Sequence, residues 1–231
     1  MAWGRRQAII EPVSVIDEPL IDVREHGPAG LDSLDISVVH LFALVSEGIV
    51  ACTSTFLTSD RDAVHALMAN EQLIDSVYGK VEELARNELV SGNGTSENRL
   101  RLLLLVLQIV PELERSGDLV EHIARRAAQG LARSLTPRTR GIIERMGAVA
   151  AEMWQLAATA YLERDPAAAD HLRRRDDELD DLHVTLTAEL ATASLPLAAA
   201  IEMGLVARFF ERLGDHAVNV ARRLDVLWEV S

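Results

Sequence analysis

The chain has 231 residues, enough to bury a substantial core and to form one large domain or two small ones. Its composition, 48% hydrophobic but only 4% aromatic, favours helices packed through leucine and alanine over a sandwich or barrel rich in aromatic and β-branched residues. A net charge of −13 makes a nucleic-acid backbone a poor partner for the surface as a whole and leaves an excess of carboxylates, suited to cations or simply to water.

A single cysteine, Cys52, excludes an internal disulfide and fits a reducing compartment. The opening M-A-W-G-R-R-Q-A-I-I-E-P carries two arginines but no apolar run after them, so it makes a poor signal peptide. The apolar run from Leu102 to Val110, interrupted by Gln108, falls far short of the roughly 20 residues that span a bilayer. The expectation is a soluble, cytoplasmic protein.

Residues 1–30 carry Pro12, Pro19 and Pro28 with Gly27 and Gly30, too many breakers for a long helix, together with apolar residues such as Ile9, Ile10, Val15 and Ile21. This stretch reads as an N-terminal arm, extended or disordered. From Leu31 apolar residues recur at three- and four-residue steps, predicting a first helix to about Thr58. Asp60 then caps a second, running to about Val90, and the cluster Ser91-Gly92-Asn93-Gly94-Thr95-Ser96 stops it. A third runs from about Ser96 to Gln129, with Gly130 as its closing glycine. Thr136-Pro137 and Asp165-Pro166 each pair an N-cap with proline at the first helical position, and Ser194 with Pro196 opens the last helix, which reaches about Trp228.

The chain repeats itself. E-R-S-G-D-L-V-E-H-I-A-R-R from Glu114 returns as E-R-L-G-D-H-A-V-N-V-A-R-R from Glu211, at a constant offset of 97 residues. Over the first two helices of each copy the offset is 105, pairing Glu47 with Glu152, Asp60 with Asp165 and Asp75 with Asp180. The fold class is therefore all-α, as two tandem three-helix bundles, over residues 31–134 and 135–231, behind the arm.

Each copy holds two acidic pairs spaced i, i+4: Glu71/Asp75 and Glu114/Asp118 in the first, Asp176/Asp180 and Glu211/Asp215 in the second. Residues four apart share a helix face, and like charges there repel. Any single pair reads most simply as a solvated face. Counting residues from the connecting loops, however, brings the two pairs of each copy level to within about a turn on neighbouring antiparallel helices. Four carboxylates meeting across a seam raise one another's pKa or demand a cation. Oxygen ligation suits Mg²⁺, Mn²⁺ or Ca²⁺, and iron or zinc also accept carboxylates from bundle helices. His122, four residues after Asp118, extends the first face where the second copy has Asn219; His183 has a weaker claim. Arg115 and Arg212 offer a metal-free alternative by pairing with second-helix carboxylates. Gly117 and Gly214, each costing about 1 kcal/mol in a helix interior, point to close approach by a neighbouring helix.

At E-L-E-R-S-G-D and F-E-R-L-G-D-H-A-V-N-V-A the sequence resembles the PhoU family of phosphate-signalling regulators, over about residues 31–229. The resemblance implies two three-helix bundles side by side, often dimeric. It implies an adaptor with no enzymatic activity that represses phosphate-starvation genes by coupling the transporter's ATPase subunit to a membrane sensor histidine kinase. The membrane is then reached only through partners, and nucleic acid is not a partner. It also implies metal clusters, iron or zinc with magnesium or manganese proposed, on Glu71, Asp75, Glu114, Asp118, Asp176, Asp180, Glu211 and Asp215, with Asn219 matching the motif asparagine. Three features depart from the family: Arg99 replaces an expected aspartate, Pro111 sits inside the first motif helix, where it should bend it, and the arm has no counterpart. The alternative from another class is a carboxylate-bridged dimetal enzyme, which would want Glu-x-x-His on two helices.

Overall fold

The computed structural model describes residues 33–91, 96–163 and 168–228, with side chains to residue 225. The arm, the residues 92–95 of the Gly/Ser loop and the Asp165-Pro166 cap lie outside these. Among the described residues the order is α1 (Ser33–Thr58), α2 (Arg61–Ser91), α3 (Glu97–Ala127), a 3₁₀ turn (Leu131–Ser134), α4 (Pro137–Glu163), α5 (Ala168–Thr192) and α6 (Leu197–Trp228), with no strand.

The starts of the helices follow local chemistry. Asp60 Oδ1 accepts the backbone N–H groups of Asp62 at 2.9 Å and Ala63 at 3.2 Å, Ser96 Oγ that of Arg99 at 3.3 Å, and Thr136 Oγ1 that of Thr139 at 3.1 Å. Each such cap is worth about 1 kcal/mol. Gly130 behaves differently from expectation. It takes the left-handed conformation at φ 70°, but α3 has already ended at Ala127, and Gly130 instead opens the 3₁₀ turn. Pro111 does not end α3, which remains helical from Glu97 to Ala127.

α1 packs on α2 and α3, and α4 on α5 and α6; the two groups meet where α1 lies against α4 and α3 against α6. α1 is long and apolar enough to cross a membrane by length and composition alone. Here it is a core helix, its Val38, Leu41, Val45, Ile49, Cys52 and Phe56 fully enclosed by its three neighbours. Phe42 of α1 sits 6.0 Å from the Trp154 ring and 5.8 Å from that of Tyr161, both on α4, and the Tyr161 hydroxyl donates to Asp35 at 2.6 Å. A Cβ on Gly147 of α4 would stand 2.2 Å from Thr53 Oγ1 of α1, so the two helices approach as closely as glycine permits. One continuous apolar core runs through both groups. α2 and α5 pack chiefly within their own groups, against α3 and α6 respectively.

Candidate functional site

Glycine sets the depth of both seams. A Cβ on Gly117 of α3 would meet Ile74 Cδ1 of α2 at 3.0 Å, and one on Gly214 of α6 would meet Leu179 Cδ2 and Asp176 Oδ1 of α5 at 2.7 and 2.8 Å. Ile74 and Leu179 are repeat equivalents, so the same close crossing is built twice, and the expected approach at these glycines is what the fold uses. The crossing levels the flanking acids, because residues on either side of it rise equally along antiparallel helices.

In the first seam, burial raises the pKa of Glu71, helped by the fields of Asp75, Glu121 and Asp118. Glu114 is raised by burial and then by Asp118 and Asp75, and Asp118 by burial with Asp75 and Glu121, against a lowering field from His122. In the second seam, burial and then Asp180, Asp215 and Glu211 push Asp176 up to about 6. Glu211 is raised by burial and by Asp215 and Asp180. All eight sequence-predicted acids therefore act on one another across the two seams in the arrangement the spacing predicts. Glu121 is an addition that the repeat concealed, since its equivalent is Val218.

The other candidates are placed less centrally. His122 stacks on Phe209 of α6, with ring centroids 5.5 Å apart, and still lies near enough to Asp118 to lower its pKa. Asn219 lies half-buried one turn beyond Asp215 on α6, and His183 half-buried on α5. The arginines do not do what the metal-free alternative requires: Arg115 reaches back to Glu112 on its own helix at 3.7 Å, and Arg212 has no ion pair among the described residues. Arg208 pairs with Glu211, and its first-copy equivalent is Pro111, so Glu114 lacks the corresponding partner.

The donors match a hard or borderline cation in kind: carboxylate oxygens only, with Glu211 Oε2 buried and without a hydrogen-bond partner. Among the described residues no three such side chains converge tightly enough to hold an ion. Ligation would require these side chains to rotate inward on fixed helices.

A third charged cluster, which sequence reasoning missed, joins the two groups. Glu112 of α3, 3% exposed, pairs with His216 Nδ1 and with Arg223 Nη1 at 2.8 Å, both on α6, and Arg223 also donates to the Gln108 carbonyl at 2.6 Å. Burial opposes ionisation of Glu112, but His216 and Arg223 hold its pKa down at about 2. The one available signal was a glutamate placed directly after the helix proline, within an otherwise apolar face.

The PhoU domain family model matches residues 38–127 and 143–224. "Phosphate-specific transport system accessory protein PhoU homolog 2" of Mycobacterium tuberculosis is 32% identical over 180 residues, covering 74% of this chain and 82% of that protein. Homolog 1 of Mycobacterium leprae is 29% identical, covering 84% and 88%. The crystal structure of PhoU from Pseudomonas aeruginosa superposes with a TM-score of 0.78 at 22% identity, covering 86% of this chain and 96% of that one, which is a likeness of fold.

Proposed function

The chain belongs to the PhoU domain family, and from that premise we propose that it is a cytoplasmic accessory protein of phosphate transport. In this reading it represses phosphate-starvation signalling as a homodimeric adaptor between the transporter's ATPase subunit and a sensor histidine kinase, and catalyses nothing itself. Its two acidic seams hold divalent or transition-metal ions, through Glu71, Asp75, Glu114 and Asp118 in the first and Asp176, Asp180, Glu211 and Asp215 in the second. His122 and Asn219 stand at the edges of the two sites as further donors.

The observation that supports this most is the second seam, where four carboxylates face one another and the buried Glu211 Oε2 has no partner. A bound cation supplies counter-charge beyond the single Arg208 that four carboxylates have there. The chain's own residues do the rest: Gly214 admits α5 close to α6, Leu179 excludes water beneath the acids, and Arg208 fixes one oxygen of Glu211 while leaving the other turned inward. Elemental analysis of purified protein should find a stoichiometric metal that Asp118→Ala plus Asp215→Ala removes, and deletion should derepress a phosphate-responsive reporter. Absence of any specific metal together with an unchanged reporter would defeat the reading. Light scattering tests the dimer separately.

A further inference from the structure

The face of α5 opposite α4 carries a second kind of charge. His171, Arg174 and Arg175 fall at i, i+3 and i+4, hence on one side of the helix, and with Leu156 of α4 they line a depression of about 400 Å³. An adjoining depression of about 370 Å³ shares Leu156 and Arg175 and is bordered by Gln155 of α4.

Arg175 is held by two carboxylates, Glu152 at 3.0 Å and Glu178 at 3.0 Å, and Arg145 closes the ring by reaching Glu178 at 2.7 Å and Glu152 at 3.5 Å. That ring is neutral and fixes the Arg175 guanidinium in place. Arg174 and His171 are exposed, and Arg174 has no ion pair or hydrogen bond among the described residues. Arg174 thus offers a guanidinium without an ion pair on this face, with Asp170 one turn before it tied to Arg173 and the exposed Asp177 one turn after it. The repeat supplies a control: at the offset of 105 the first copy has Ala66, Ala69 and Asn70, none of them charged, with Asn70 donating to the Leu44 carbonyl at 3.3 Å as a packing residue. The cationic face therefore belongs to the second copy alone.

We propose that this face binds a phosphate-type oxyanion, free or as the head of a small phosphate monoester. The donors on this face are the Arg174 fork and the His171 ring of α5, one turn apart, while the Gln155 amide of α4 borders the adjoining depression. A tetrahedral oxyanion uses such a spread, whereas a planar carboxylate is satisfied by one fork. Leu156 gives the floor an apolar patch that tolerates an organic substituent. The site is separate from the acidic seams and stands whether or not they hold metal.

The test uses the full chain stripped with EDTA, so that no seam metal can bridge to phosphate. Histidine-selective NMR, with His171 assigned through His171→Gln, follows titration with inorganic phosphate and, in a second arm, glycerol 3-phosphate, against chloride at matched ionic strength. The expected result is a saturable shift of the His171 signals, weakened about tenfold by the exposed substitution Arg174→Gln and unchanged by Arg61→Gln. Tighter binding of the ester assigns the site to esters; binding of inorganic phosphate alone assigns it to the free ion. No saturation by about 20 mM in either arm, an equal response to chloride, or full affinity in Arg174→Gln would overturn the proposal.

Discussion

Glu112→Gln tests the contact between the two groups most directly. The substitution keeps the shape of a side chain that is 3% exposed and removes the charge facing His216 and Arg223. Glu112 has its pKa lowered from 4.5 to about 2 in the folded chain. At 1.36 kcal/mol per pKa unit this corresponds to about 3 kcal/mol at pH 7, in line with the roughly 3–5 kcal/mol lost when one partner of a buried pair is removed. The sign follows from linkage. A carboxyl group with a depressed folded pKa contributes its full stability above about pH 5, and loses it as the pH falls through the unfolded value toward 2. Urea unfolding of the metal-free protein should show the variant less stable by about 3 kcal/mol at pH 7, with the gap from the parent narrowing steadily between about pH 5 and 3. A gap below about 1 kcal/mol at pH 7, or one that does not change with pH, would refute the assignment of the cluster as a folded-state ion pair.

Asp176 carries the opposite sign: its folded pKa is raised to about 6, so ionisation destabilises the metal-free fold as pH climbs from about 4 to 6. Asp176→Asn should therefore stabilise metal-free protein at pH 7 by about 1–2 kcal/mol in urea, allowing for solvent screening, while abolishing any metal-induced rise in melting temperature. Gly214→Ala should cost about 1–3 kcal/mol in the same assay, because its Cβ meets Leu179 and Asp176. Gly117→Ala should be nearly neutral, the helix gain of about 1 kcal/mol offsetting a slighter encroachment on Ile74. Cys52 is buried and its thiol is pushed up to about 12, so a thiol reagent should label native protein only at the rate of unfolding; fast labelling at pH 8 would contradict that placement.

The helices were legible because their starts are written locally: Asp60, Ser96 and Thr136 cap as their residue types predict, and helical rise alone brought Asp75 level with Glu114 and Asp180 level with Glu211. Those inferences need only one repeat at a time. What the sequence concealed lies between repeats. Glu112, His216 and Arg223 occupy positions whose equivalents are Phe209, Leu119 and Arg126, so comparing the copies hides the triad instead of exposing it. Glu121 escaped for the same reason, and Gly130 because left-handed geometry does not say which helix it serves. The i, i+4 spacing puts His122 on the face of Asp118, but periodicity within α3 carries no sign of the Phe209 ring arriving from α6.

The α3–α6 contact shows how duplication can keep a geometry while changing its chemistry. The two helices run antiparallel, with Arg126 opposite Glu202 and Arg223 opposite Gln108, so an approximate two-fold relation exchanges the copies. On one side Arg223 meets the carboxylate of Glu112. On the other its equivalent, Arg126, lies 4.8 Å over the ring of Phe209, the residue equivalent to Glu112, and takes its ion pair from Glu202 at 2.8 Å instead. One arginine position thus clamps the groups twice, once through a buried carboxylate and once through an aromatic face with a half-exposed acid. Only the first clamp contains a buried acid held near a pKa of 2, so it is the half that acid weakens most. The apolar core, continuous across α1 and α4 as well, does not depend on either clamp. Removing Glu112 should therefore lower stability without separating the two groups.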